Sequence, residues 1–233
     1  MNENPYEYRS GAENYPLGLY LSNVFLWMFL GLMITFGVAI GGWMTGLAIL
    51  VLSGVGPVLL LVGQLVAVLA LSAFVEKLSV GAAKGWFVAY SVLTGLTLSV
   101  YLYIYELGSL VFVFLLTAVF FGVLGLYGHM TRSDLSGLRP YLVCGLVILL
   151  VFAILALFVP MGAVATMMTL GGVVLFLAFT AYDVQNCQRF YFAYQHDQEM
   201  LEKAAIYSAL ELYLDFINLF LRLLRYLGKR RDE

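Results

Sequence analysis

The chain has 233 residues, of which 63% are hydrophobic and only 11% are charged, and its mean hydropathy is +0.95. A soluble domain carries about 25% charged residues, so this composition excludes a water-soluble globular protein. It predicts that most of the protein surface faces the lipid bilayer. The net charge of −2 gives no electrostatic basis for binding nucleic acid.

Long uncharged stretches predict the membrane-spanning helices. No Asp, Glu, Lys or Arg occurs between Glu13 and Glu76, Lys84 and Glu106, Glu106 and Arg132, or Arg139 and Asp183. A helix that crosses a bilayer needs about 20 apolar residues, so these stretches accommodate two, one, one and two crossings. With prolines and glycines as boundaries, the first six predicted spans are 19–42, 56–76, 85–105, 109–131, 140–159 and 163–187.

A seventh helix is predicted over residues 204–227, although this segment is less apolar than the others. It contains Glu211, Asp215, Arg222 and Arg225, and its apolar residues recur at helical spacing. Such a helix has to be shielded from lipid by other helices. The predicted fold is all-α: a polytopic membrane protein with a seven-helix transmembrane domain over 17–228, a polar tail over 1–16 and a charged tail over 229–233.

The basic residues of the predicted loops indicate the orientation of the chain. They follow the even-numbered helices, at Lys77 and Lys84, Arg132 and Arg139, and Arg189 and Lys203. Because basic loops stay in the cytoplasm, these loops and the amino terminus are expected to be cytoplasmic. Seven complete crossings then place the carboxyl tail outside the cell. Because this tail is basic, it would be an exception to the rule that basic segments stay in the cytoplasm. The alternative is that helix 7 does not cross completely.

Acidic residues lie inside the last two predicted helices, with Asp183 near the end of helix 6 and Asp215 midway along helix 7. An acidic residue at mid-bilayer depth costs about 2.5–3.5 kcal/mol on insertion scales, so a functional role is the first interpretation. Glu211, Asp215, Asn218 and Arg222 share one helical face. We expect this polar stripe to line an internal cavity. The alternative is that these groups only hold the helices together.

No pattern in the sequence points to catalysis or to a bound cofactor. Cys144 and Cys187 lack metal-ligand spacing and are expected to be packing residues. His129 and His196 have no serine or carboxylate arranged around them, and the sequence contains no phosphate-binding loop, dinucleotide fingerprint or metal motif. We therefore expect a protein that is not an enzyme and needs no cofactor.

The segments LYGHMTRSDLS at the end of helix 4, TAYDVQ in helix 6 and SALELYLDFINLFLRLLRYLG in helix 7 resemble the Bax-inhibitor family, especially its bacterial members. The resemblance implies a bacterial cell-membrane protein with six helices around a central seventh, and a pH-sensitive calcium leak. It implies a regulating pair of aspartates, at Asp183 and Asp215, and a basic residue near the end of helix 2, for which Lys77 is the closest position. Arg222 stands where a neutral residue is expected.

Two carboxyls held close together away from water cannot both ionise cheaply, because desolvation and like-charge repulsion act together. A shared proton would tie helix 6 to helix 7, and its loss would let the helices separate. Calcium takes about 6–8 oxygen ligands. Asp183 and Asp215, with Glu211, Asn218 and water, could therefore bind a permeating calcium ion transiently.

Three other functions remain open. A proton-coupled transporter would use the same pair, although no inverted repeat is evident. An intramembrane aspartyl protease also carries two aspartates on adjacent helices, but Asp215 has no flanking glycine and the last helix lacks a Pro-Ala-Leu element. A regulatory membrane protein without transport activity is the third alternative, and the sequence names no protein partner.

Overall fold

The computed structural model describes residues 15–51, 53–75, 77–156, 158–160 and 162–231. It contains seven helices that are long and apolar enough to cross a membrane. They are α1 (Leu17–Met44), α2 (Gly56–Phe74), α3 (Val80–Leu98), α4 (Leu107–Met130), α5 (Arg139–Leu155), α6 (Ala163–Tyr194) and α7 (Gln198–Leu227). The membrane-length span of α3 continues to Ile104, and that of α5 begins at Leu135. The prediction of an all-α polytopic membrane protein is confirmed. The predicted amino-terminal tail lies, except for its last two residues, outside the described residues.

Short helical segments join some of these helices, and the helix ends differ from the predicted spans mainly around the α6–α7 turn. The short segments are Leu47–Val51, Tyr101–Ile104 and a 3-10 turn at Leu135–Leu138. Helix α6 continues to Tyr194 and α7 begins at Gln198, whereas the predicted spans ended at 187 and began at 204. The Oδ1 atom of Asp197 accepts a hydrogen bond from the backbone N–H of Met200 at 3.0 Å and caps α7. These extensions are polar, so hydropathy does not detect them.

Helix α7 is the most buried of the seven. In its most apolar window 72% of the residues are buried, against at most 39% in any other helix. It packs most extensively against α6 and also contacts α1, α3 and α4, while α2 packs mainly on α3 and α5 on α6. This shielding explains how a helix with central acidic residues can occupy a membrane. A strictly central position for α7 stays a prediction.

The start of α1 and the loops after α2, α4 and α6 meet at one end of the bundle, which we call the amino-terminal end. There the Tyr191 hydroxyl donates to the carbonyl oxygen of Tyr15 at 2.7 Å, and Arg189 forms an ion pair with Asp134. The Gln185 amide donates to the carbonyl oxygen of Ser133 at 2.9 Å. The α4–α5 loop is therefore held against α6.

The other loops and the end of α7 meet at the opposite end, which we call the carboxyl-terminal end. Lys229 Nζ lies 2.9 Å from Glu106 Oε1, and the backbone N–H of Arg231 donates to the carbonyl oxygen of Ile104 at 3.0 Å. The Arg231 guanidinium lies 5.4 Å from the ring centroid of Trp43. These contacts show that α7 runs the full length of the bundle. Which end faces the cytoplasm stays a prediction.

Glycines allow close approach at two helix interfaces. A Cβ atom on Gly128 of α4 would lie 3.0 Å from the Cα atom of Ala181 in α6 and closer still to its carbonyl oxygen. A Cβ atom on Gly95 of α3 would lie 2.6 Å from the carbonyl oxygen of Thr35 in α1. Small residues of this kind let helix backbones pack directly against each other in membranes.

Candidate functional site

Helices α6 and α7 bring Asp183 and Asp215 together inside the bundle. Asp183 is 6% exposed and Asp215 is 4% exposed, and the two carboxyls face each other within hydrogen-bonding reach. The Oδ2 atom of Asp215 is buried without a hydrogen-bond partner among the described residues. The pair therefore lies at the helix interface that is the most extensive among the described residues.

Glu211 adds a third carboxyl to this site. It lies one turn before Asp215 on α7 and acts electrostatically on both aspartates. The Tyr207 hydroxyl and the Asn186 amide are within hydrogen-bonding reach of Glu211, while its Oε2 atom is buried with no partner in the described part of the chain. We call Asp183, Glu211 and Asp215 the acidic cluster.

The acidic cluster is poor in positive charge. Arg139, at the start of α5, is the cation that acts on Asp183 and Glu211, yet no ion pair joins a cation to the cluster within the described ranges. Across those ranges no group of three or more His, Cys, Asp and Glu side chains is arranged to hold a metal ion. The acidic cluster therefore holds three carboxyls, two of which have a buried oxygen without a hydrogen-bond partner among the described residues.

The rest of the predicted polar stripe faces a different region. Asn218 donates from Nδ2 to the carbonyl oxygen of Leu214 at 2.8 Å, and Arg222 donates from Nη1 to the carbonyl oxygen of Met168 at 3.3 Å. Both line a cavity of about 230 Å³ between α5, α6 and α7. The stripe is thus divided: Glu211 and Asp215 belong to the acidic cluster, and Asn218 and Arg222 to this cavity.

Lys77 lies apart from both regions. It is exposed in the loop after α2, and its Nζ atom is 5.8 Å from the ring centroid of Phe74. Sequence reasoning used Arg139 only to orient the chain, and it missed Tyr207 and Asn186. The last two were detectable in principle, because each lies one helical turn from a cluster carboxylate on the same helix.

Comparison with known proteins identifies a family for this chain. Residues 18–232 match the family model described as inhibitor of apoptosis-promoting Bax1. The inner membrane protein YbhL of Escherichia coli K12 is 38% identical over 221 residues, covering 92% of this chain and 93% of that protein. An uncharacterized protein of Borreliella burgdorferi is 38% identical over 216 residues, with 92% and 93% covered. A protein of Deinococcus radiodurans is 36% identical over 214 residues, with 91% of each chain covered.

Proposed function

This multi-pass membrane protein belongs to the Bax-inhibitor family, and we propose that it is a pH-sensitive calcium leak whose gate is the acidic cluster. The observation that carries the proposal is the pair of buried carboxyl oxygens, Asp215 Oδ2 and Glu211 Oε2, that have no hydrogen-bond partner among the described residues. Buried acceptors of this kind call for a proton or a cation. The proposed location is the bacterial inner membrane, with the amino terminus in the cytoplasm.

In the closed state a proton lies between Asp183 and Asp215. The two carboxyls are close enough to share it, and the hydrogen bond ties α6 to α7. Desolvation at this depth opposes ionisation of both groups at once, so the pair takes up and releases its protons as a unit. The closed state is therefore the protonated state.

In the open state the cluster has lost its proton. Repulsion between Asp183 and Asp215, strengthened by Glu211, weakens the α6–α7 interface and exposes carboxylate oxygens to water. Calcium prefers such oxygens and takes about 6–8 of them, more than the cluster supplies, so water completes the coordination. Weak, incomplete binding is what a permeating ion requires.

Two titratable groups outside the acidic cluster, both at the amino-terminal end of the bundle, are relevant to any pH dependence of calcium flux. Hydrogen bonds from the backbone N–H and hydroxyl of Ser136 hold the pKa of Asp134 below its ordinary value, with help from Arg189. The Asp134–Arg189 contact therefore persists in mild acid. His129, whose Nδ1 atom lies 3.2 Å from the Gln188 amide nitrogen, is the second such group and is tested by its own variant.

The test is passive calcium flux into vesicles that contain the purified protein and a calcium-sensitive dye. Flux down the gradient should be faster at neutral or alkaline pH than at acidic pH, and protein-free vesicles provide the baseline. His129→Gln should keep this pH dependence if the acidic cluster is the sensor. Flux that rises on acidification would refute the shared-proton gate.

The same vesicles test the alternative of a proton-coupled transporter, which the presence of a third carboxyl in the cluster also favours. A coupled carrier accumulates calcium against its gradient when a proton gradient is applied, whereas a leak only equilibrates it. Accumulation of calcium against its gradient would therefore mean that the protein is a carrier, which uses Asp183, Glu211 and Asp215 to transfer protons, and not a leak.

A further inference from the structure

A second polar region lies between the acidic cluster and the carboxyl-terminal end of the bundle. It is the cavity of about 230 Å³ between α5, α6 and α7, and its polar lining consists of Tyr101, Thr169, Asn218, Arg222 and Arg225. Apolar side chains of α5 form the opposite wall. We call this the arginine cavity, because two arginines lie one helical turn apart along its α7 side.

The Arg222 side chain turns into the bundle instead of reaching towards the headgroups. Its guanidinium lies 5.3 Å from the ring centroid of Phe176, and a Cβ atom on Gly172 would overlap it. Helix α6 begins at Ala163 at the carboxyl-terminal end, so Gly172 lies about 13 Å along the helix from that end. Lysine and arginine near helix ends normally extend outwards to water. The inward position of Arg222 therefore needs another explanation.

The residues that the structure describes do not balance the positive charge of this cavity. Arg222 Nε is buried without a hydrogen-bond partner among the described residues, and in the same part of the chain no carboxylate forms an ion pair with Arg222 or Arg225. Arg225 is within hydrogen-bonding reach of the Tyr101 hydroxyl, which is neutral. Arg225 is exposed and Arg222 is half-buried, and a partly buried charge is unfavourable unless an opposite charge accompanies it.

We propose that the arginine cavity binds a phosphate-type oxyanion. Guanidinium groups form paired, charge-assisted hydrogen bonds with phosphate oxygens, and Nε of Arg222 is the donor left without a partner. Asn218 and Tyr101 supply further polar groups at the rim. The missing Cβ atom of Gly172 provides the space that the guanidinium occupies. The oxyanion can come from an anionic phospholipid, whose acyl chain would follow the apolar α5 wall, or from free phosphate.

The test uses the full-length protein in nanodiscs and measures thermal unfolding. One series contains neutral phospholipid only and is titrated with inorganic phosphate; a second contains increasing fractions of phosphatidic acid. The test variant is Arg222→Gln combined with Arg225→Gln. The matched control is Arg230→Gln, which removes an exposed arginine at the same end of the bundle but outside the cavity.

The wild-type protein and the Arg230→Gln control should be stabilised by the oxyanion, and the double variant should bind it roughly tenfold or more weakly, since hydrogen bonds to charged groups are lost. If inorganic phosphate stabilises the protein, the ligand of the cavity is a free ion. If only phosphatidic acid stabilises it, the ligand is a lipid headgroup. No response to either, or an equal response in the double variant, overturns the proposal.

A second variant keeps the test decisive if the double variant does not fold. Gly172→Ala retains both positive charges but places a methyl group where the Arg222 guanidinium lies. It should therefore also weaken oxyanion binding. Wild-type affinity in Gly172→Ala would overturn the proposal, because general surface attraction would then account for the binding.

Discussion

The close contact between α4 and α6 makes Gly128→Ala a sharp test of the structure. The added Cβ atom would lie 3.0 Å from both the Cα and the carbonyl carbon of Ala181, where ordinary contacts begin at 3.4 Å. The obstructing atoms belong to the backbone of α6, so no side-chain rotation relieves the overlap. The two helices have to separate or tilt, and overpacking of this kind costs about 1–3 kcal/mol.

The matched control is Gly122→Ala on the same helix, where a Cβ atom has no neighbour within 4 Å. Alanine gains up to about 1 kcal/mol of helix propensity over glycine at either position. The difference between the two variants therefore isolates the overlap. Because the contact at Gly128 is with backbone, we expect a value in the upper part of the range, about 2–3 kcal/mol.

Equilibrium unfolding in mixed micelles with increasing SDS measures this difference. Equal stability of Gly128→Ala and Gly122→Ala would refute the close approach of α4 and α6. A functional effect should accompany the loss, since Ala181 lies two residues before Asp183 on α6. The pH midpoint of calcium flux should change in Gly128→Ala and remain as in the wild type in Gly122→Ala.

The acidic cluster and the arginine cavity lead to two further predictions. Asp183→Asn and Asp215→Asn should each abolish the pH dependence of calcium flux, because the repelling pair can no longer form, and the double variant should behave like either single one; additive effects would indicate two independent titrating groups. Arg222→Leu should move the pH midpoint of the flux upwards, since removal of a positive charge seven residues along α7 from Asp215 makes the carboxyls harder to ionise. An unchanged midpoint in the folded variant would show that Arg222 does not act on the pair.

Hydropathy and helical spacing predict the parts of this structure that depend on local sequence. Uncharged stretches between charged residues indicate six of the helices, and the spacing of Glu211 and Asp215 places both on one face of α7. Neither signal shows what that face contacts at each depth. Because α6 lies against the face near Asp215 while a cavity opens beside Asn218, a single stripe serves two separate sites.

The cation near the acidic cluster illustrates the same limit. Lys77 is a basic residue at the end of α2, but α2 packs mainly on α3, and Lys77 lies over Phe74. Arg139 begins α5, which packs on α6, so its charge reaches Asp183. The packing of neighbouring helices decides which basic residue approaches the acidic cluster. A single sequence does not show which helices are neighbours.

The burial of α7 has a consequence for how the protein is made. The mean hydropathy of the most apolar 18-residue window in α7 is 1.4, the lowest such value among the seven membrane-length helices. Charged residues at a helix centre each disfavour insertion by about 2.5–3.5 kcal/mol. Helix α7 is also the last of the seven to be synthesised. Its place in the bilayer therefore depends on the groove formed by α1, α3, α4 and α6, against which it packs. Substitutions in that groove should therefore leave α7 unpacked before they disturb any of the other six helices.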